Sequence, residues 1–225
     1  GAGSNYTGVS VTTAPTAGLA LTSGASGNNL VVTANNNYIG ASLSGLTNSG
    51  SLAAAYPVYV AASGSLGSLT NSGTLSGSVA AIYNAGALGP IANSGVIAGN
   101  IENLSSSDLR IAGGSGTSFG TLTGFNGGRG TISNSGGTVA FVAGNLELND
   151  DIVASSVTNS GASVNLANSA WITGAYSQTA GSLTLASGQQ LNVSGAATLS
   201  GGTVSATLPS AANYLVGSTA ATLVT

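Results

Sequence analysis

The sequence predicts an all-β fold, a parallel β-solenoid of about ten coils, roughly 50 Å long at a strand spacing of about 4.8 Å per coil. Three observations predict it. A nine-residue phrase, LTNSGTLSG from Leu69 to Gly77, returns as LTNSGSLAA from Leu46 and IANSGVIAG from Ile91, with shorter copies at Ile132 (ISNSG) and Val157 (VTNSG). Its asparagines, Asn48, Asn71, Asn93, Asn134 and Asn159, are separated by steps of 23, 22, 41 and 25 residues. The long step reads as two periods around one degenerate copy. A period in the low twenties marks coils that bury their apolar faces only against one another. The second observation is composition: 42% of the 225 residues are apolar, yet only 3% are charged, against about 25% in an ordinary globular domain. Such a chain is too apolar and too uncharged for disorder. The third is that no stretch sustains a helical period.

Within the phrase, an aliphatic residue stands two positions before each Asn (Leu46, Leu69, Ile91, Ile132, Val157). In the first three copies another follows four positions after, at Leu52, Leu75 and Ile97. Two short strands therefore flank a polar corner. Asn and Gly enter left-handed backbone conformations most cheaply, so Asn-Ser-Gly reads as a bend built on them. Weaker copies, VAASG from Val60 and IYNAG from Ile82, suggest a second corner in each coil. Stacking coils sets Asn over Asn, and such a ladder satisfies side-chain amides along the stack. Asn48, Asn71, Asn93, Asn134 and Asn159 are expected to line one corner. Leu46, Leu69, Leu75, Ile91, Ile97, Ile132 and Val157 are expected to face inward as an aliphatic ladder.

Residues 1–45 alternate as short strands around Val9 and Val11, Leu19 and Leu21, and Leu30 and Val32, between turn residues. Residues 46–100 hold the clearest repeats, with Ala53 to Ala55 and Ala80 to Ala81 where coils pack closely. Residues 101–151 carry every charge: Glu102, Asp108, Arg110, Arg129, Glu147, Asp150 and Asp151. Asp108 and Arg110 share a strand face and read as a solvated pair. Phe119, Phe125 and Phe141 read as a thickened core. From about residue 144 the alternation becomes cleaner, with Trp171 and Tyr176 marking a local enlargement of the core. The division expected is 1–143 for the solenoid repeats and 144–225 for a C-terminal β subdomain that continues or caps the stack.

Absent residues narrow the chemistry. There is no His, Cys, Met or Lys. Without His and Cys, the usual nucleophilic triads and the thiolate and imidazole metal sites are excluded. Without Lys, Schiff-base chemistry and phosphate-binding loops are excluded as well. Two arginines and a net charge of −3 argue against nucleic acid as a partner. Glu147, Asp150 and Asp151 are the only acidic cluster. A glycosidase needs two carboxyls facing each other across a cleft, and the Asn149-Asp150 turn would interrupt a shared strand face. With Asn149 the cluster offers oxygen ligands for Ca²⁺, but its spacing matches no calcium loop, and it reads as a turn with solvated acids. No catalytic residue, metal site or cofactor is expected. The sequons at Asn5, Asn103 and Asn192 match chance at this composition. A chain that opens on Gly1 and contains no Met reads as processed or as a fragment.

Leu69 to Gly77, the Gly-rich stretch from Gly113 to Asn126, and Ala175 to Leu185 together resemble autotransporter passenger domains. The resemblance implies a right-handed parallel β-helix, secreted by a type V system to the outer surface of a Gram-negative bacterium or beyond it. Leu191 to Leu199 and Asn213 to Gly217 resemble the C-terminal stem of such passengers. The likeness covers most of residues 46–217. It departs from the family's plan in that no translocator barrel follows Thr225, so a membrane enters only through that missing part. The family's implied roles are adhesion, auto-aggregation and biofilm formation, and it has no fixed binding motif to carry over.

The function expected is that of a non-enzymatic, adhesive or structural cell-surface or secreted module. Its partners would be other copies of itself, other cell surfaces or matrix. The alternative is a subunit of a homopolymeric extracellular fibre, assembled by end-to-end stacking or strand insertion. No charged side chain precedes Glu102 or follows Asp151, so neither end carries charge to deter stacking.

Overall fold

The chain forms a parallel β-solenoid of about 8 turns. This computed structural model describes residues 5–10, 19–21, 26–31, 37–40 and 42–207. Each turn has three faces, and each face is a ladder of parallel strands. The first face runs through Leu46–Asn48, Leu69–Asn71, Ile91–Asn93 and Leu109–Ala112. The second runs through Ser51–Ala54, the start of Thr74–Asn84, the start of Val96–Asn103, Gly120–Thr123 and Asn145–Leu148. The third begins at Leu19–Leu21, Asn37–Ile39 and Val58–Val60, then takes the ends of Thr74–Asn84 and Val96–Asn103. Farther along, Gly130–Ala143, Asp150–Leu166 and Ala170–Ala186 bend round the corners and serve more than one face each. Leu191–Val193, Ala197–Leu199 and Thr203–Thr207 add one more strand to each face. The described residues from 144 to 207 thus carry the same three faces onward.

Alternation places the core. In Leu69–Asn71 the pattern is buried, exposed, buried, and the same pattern recurs in Ile91–Asn93. Each inward residue meets its register partner one turn away. Leu46, Leu69, Ile91 and Ile111 form one such column, Leu52, Leu75, Ile97 and Leu122 a second, and Ile82, Ile101, Ile132 and Ile152 a third. All these side chains are buried, as is Val157, stacked between Val139 and Tyr176. A column of aliphatics one strand spacing apart removes nearly all of its apolar surface from water, which is what holds so thin a structure together.

Several expectations need correction. The turn count is about 8 rather than ten. The middle of the chain uses more residues per turn: Ile101 pairs with Ile132, 31 positions on, whereas Ile132 pairs with Ile152 after 20. The extra length goes into loops, including a 3-10 turn at Phe125–Gly127. The Asn-Ser-Gly corners do not use left-handed backbone, since Gly50, Gly73 and Gly95 are absent from the positive-φ residues. At Gly73 and Gly95, Gly is required by stacking. A methyl group on Gly73 would run into the carbonyl oxygen of Gly50, and one on Gly95 into that of Gly73. Only Phe141 of the three phenylalanines is buried, and Phe119 and Phe125 are exposed. Trp171 is 59% exposed, because Ala170 and Ile172 on either side of it face inward. Tyr176 is buried.

Candidate functional site

The corners hold two amide ladders rather than one. At the first-face corner Asn48 Nδ2 donates to Asn71 Oδ1 at 2.8 Å, and Asn71 Nδ2 donates to Asn93 Oδ1 at 2.8 Å. The ladder ends where Asn93 Nδ2 donates to the carbonyl of Thr121 at 3.0 Å. At the third-face corner Asn84 Nδ2 donates to Asn103 Oδ1 at 2.6 Å, and Asn103 Nδ2 to Asn134 Oδ1 at 3.0 Å. Asn134 therefore belongs to a different corner from Asn48, Asn71 and Asn93. Asn159 belongs to neither ladder. Asn159 is in register with Phe141, which is in register with Ile111 and Ile91, so it occupies the first face's inward aliphatic column, and its amide donates to the carbonyls of Ala162 and Ser182. Asn103, a sequon residue, is 3% exposed and committed to its ladder.

The acidic cluster is dispersed by the same alternation. Glu147 points outward on the second face, where it pairs in register with Thr121 and Asn165. Asp151 points outward on the third face, bonds Arg129 at 2.6 Å and accepts the N–H of Trp171 at 2.9 Å. Asp150 between them points inward and is fully buried, not solvated as expected. Its Oδ1 accepts the N–H of Gly130 at 2.9 Å, and its Oδ2 has no partner. Burial pushes the Asp150 carboxyl up from the ordinary 3.8 to about 7; the Gly130 N–H pulls back, Asp151 adds to the rise, and Arg129 opposes it. Asn149 is engaged with the carbonyls of Gly127 and Gly128 and with Thr123 Oγ1, and its own oxygen accepts from Asn168. Asp108 accepts the N–H of Thr138 rather than pairing with Arg110. Burial likewise pushes the Tyr176 hydroxyl up to about 12, while it donates to Gln178 Oε1 at 2.8 Å.

The outer surface of the third face gathers the groups best able to meet a partner. One column along it runs Tyr59, Tyr83, Glu102, Ser133, Val153. Next to it Asn100, Thr131, Asp151 and Trp171 follow one another: Asn100 Oδ1 accepts the Thr131 N–H, Thr131 pairs in register with Asp151, and Asp151 Oδ1 accepts the Trp171 N–H. Tyr59 and Tyr83 stack with ring centroids 4.8 Å apart and planes 16° apart, and Tyr56 stands nearly perpendicular against both. Beside them lies a shallow cleft of about 210 Å³ lined by Asn100, Glu102, Leu104, Thr131 and Ser133. None of these side chains carries a motif in sequence. Their juxtaposition comes from register between turns some 20 to 30 residues apart.

No known protein family, curated protein or solved structure matches this chain.

Proposed function

We propose that this solenoid is a non-enzymatic structural and adhesive module of the bacterial outer surface or the secreted space, in the manner of an autotransporter passenger. The observation that supports this reading is the division of labour between its two sides. Inward positions are spent on apolar columns and amide ladders, and the outward third face displays Tyr56, Tyr59, Tyr83 and Trp171 among polar groups. The three acids that an enzyme reading would use point in three directions, one of them into the core. Latex beads coated with the chain should be retained on bacterial cells or matrix-coated glass. Beads coated with the unfolded chain should wash off. Equal wash-off of both would count against adhesion.

A second reading, the homopolymeric fibre, is favoured by the last described turn. Among the described strands, Leu191–Val193, Ala197–Leu199 and Thr203–Thr207 pair only with Ala170–Ala186, and Leu199 is 51% exposed. Open strand edges of this kind template further pairing. Light scattering and electron microscopy of the purified chain separate the readings. Long unbranched filaments, insensitive to salt, favour the fibre, and stable monomers at high concentration exclude it.

A further inference from the structure

We propose that the corner loop from Gly124 to Arg129 is a pH-operated latch, shut over the buried Asp150 carboxyl while that group is protonated and opened when it ionises. The loop joins Gly120–Thr123 on the second face to Gly130–Ala143 on the third. It closes on itself through the Gly124 N–H, which donates to the Gly128 carbonyl at 2.8 Å, and the Gly127 N–H, which donates to the Gly124 carbonyl at 3.0 Å. Its two ends nearly touch. A methyl group on Gly130 would lie 2.8 Å from the Gly124 Cα and 2.6 Å from Asp150 Oδ1. Asp150 thus sits at the neck of the loop.

Three consecutive residues of the next turn hold the loop down. Asn149 Nδ2 donates to the carbonyls of Gly128 at 3.0 Å and Gly127 at 3.3 Å. Asp150 Oδ1 accepts the Gly130 N–H at 2.9 Å, and Asp151 bonds Arg129 at 2.6 Å. From the loop's own stem, Thr123 Oγ1 donates to the Gly128 carbonyl at 2.9 Å. Phe125 to Arg129 are all exposed, so lifting them takes no side chain out of the core. The clasp consists of hydrogen bonds and one partly exposed ion pair, each a modest contribution beside water. Segments of this kind open at a lower free energy than the packed columns beside them.

The carboxyl beneath is the part that changes with pH. Asp150 Oδ2 is buried with no hydrogen-bond partner. A neutral carboxyl tolerates that position at moderate cost, whereas a carboxylate there is a charge almost without solvation. The surrounding groups do not offset it. Asp151 repels the charge, and Arg129, which attracts it, is engaged by Asp151 at the surface. Among the described strands around it, Gly120–Thr123 and Gly130–Ala143 carry no titratable side chain, and Ala170–Ala186 carries only Tyr176, bonded to Gln178. Glu147, Glu102 and Tyr83 on neighbouring strands point outward. Water is the remaining source of solvation, and it enters where the neck is roofed only by exposed residues. Burial raises the carboxyl to about 7, so the latch is shut in acid and opens as pH rises through neutrality.

Without Lys, the chain offers trypsin two bonds, after Arg110 in the strand Leu109–Ala112 and after Arg129 in the latch. The whole chain and D150N, its fold checked by circular dichroism, are digested at about pH 8 and followed by mass spectrometry. The wild type should be cut after Arg129 at least about tenfold faster than D150N, with Arg110 intact in both over that time. Equal rates after Arg129, no cut there in the wild type, or cutting after Arg110 and Arg129 together overturns the latch. Hydrogen exchange of the wild type from about pH 6 to about pH 8, corrected for the intrinsic rate at each pH, tests the same point without a substitution. Protection of the amides from 124 to 130 should fall about tenfold or more while that of Leu69–Asn71 holds. A uniform profile along the chain overturns the proposal. Neither measurement depends on adhesion or on filament formation.

Discussion

Asp150 makes stability depend on pH in an unusual direction, and Asp150→Asn isolates the effect. In the folded chain burial raises its carboxyl from 3.8 to about 7, and Oδ2 is buried without a partner. Between those values the unfolded chain has released the proton and the folded chain still holds it. The unfolded state then binds fewer protons, so stability falls as pH rises. The contribution is fully present below about pH 4, is lost progressively through about pH 7, and is flat above. A rise of roughly three units corresponds to about 4 kcal/mol at most, at about 1.4 kcal/mol per unit. The asparagine cannot ionise, and its side-chain oxygen still accepts the Gly130 N–H. Urea midpoints of both proteins at constant ionic strength, from about pH 4 to about pH 8, give the difference curve. The variant should match the wild type within about 1 kcal/mol at the acid end and exceed it by several kcal/mol at the alkaline end. Parallel profiles for the two proteins would refute a buried carboxyl that is neutral below about pH 7.

Three further outcomes are expected. Asn71→Asp replaces a donor with an acceptor facing Asn93 Oδ1, and should lower the urea midpoint by the equivalent of about 3 kcal/mol or more at neutral pH; an unchanged midpoint would show the ladder to be idle. Ile91→Asp, between Leu69 and Ile111 in the first column, buries an unpaired charge at a cost of several kcal/mol and should abolish soluble expression, whereas Thr70→Asp beside it, pointing outward, should be tolerated. Gly73→Ala forces a methyl against the carbonyl of Gly50 and should lower the melting temperature measured by circular dichroism, although the backbone at Gly73 is not left-handed; a neutral result would show that the turns can move apart there.

The solenoid was legible because its determinants are local and repeated. Leu69–Asn71 contains in three residues the inward aliphatic, the outward polar residue and the ladder amide. The number of amide ladders was not legible from the phrase alone. The step from Asn93 to Asn134 is a change of corner rather than two periods. A signal for it was present: Ile82-Tyr83-Asn84, Ile101-Glu102-Asn103 and Ile132-Ser133-Asn134 share an Ile-x-Asn pattern, and these are the third-face strands that pair with one another. The displacement of Asn159 leaves no comparable mark, because it depends on Ile111 pairing with Phe141 and Phe141 with Asn159 across turns of unequal length. Trp171 was misplaced where strict alternation between Ala170 and Ile172 would have turned it outward. The nearness of Tyr83 to Glu102 needs the register between turns, which neither residue announces.

The two ladders also share a direction. In both, each amide nitrogen donates to the oxygen of the Asn in the following turn, from Asn48 through Asn71 to Asn93 and from Asn84 through Asn103 to Asn134. The last amide of each donates to backbone carbonyls, Thr121 in one case and Ser107 and Thr138 in the other. Amide dipoles aligned in this way polarise one another, so a ladder is stronger than its separate bonds. It also disfavours an insertion that would break the sequence of donors and acceptors. The second ladder nonetheless spans the longest turn: Asn103 and Asn134 are 31 residues apart, and the carbonyl of Ser107 accepts from both of their amides. The insertion is taken up elsewhere in that turn, and the corner contact survives it. The outward third face, free of that constraint, is where Tyr83, Glu102 and Trp171 differ from turn to turn while the columns beneath them stay aliphatic.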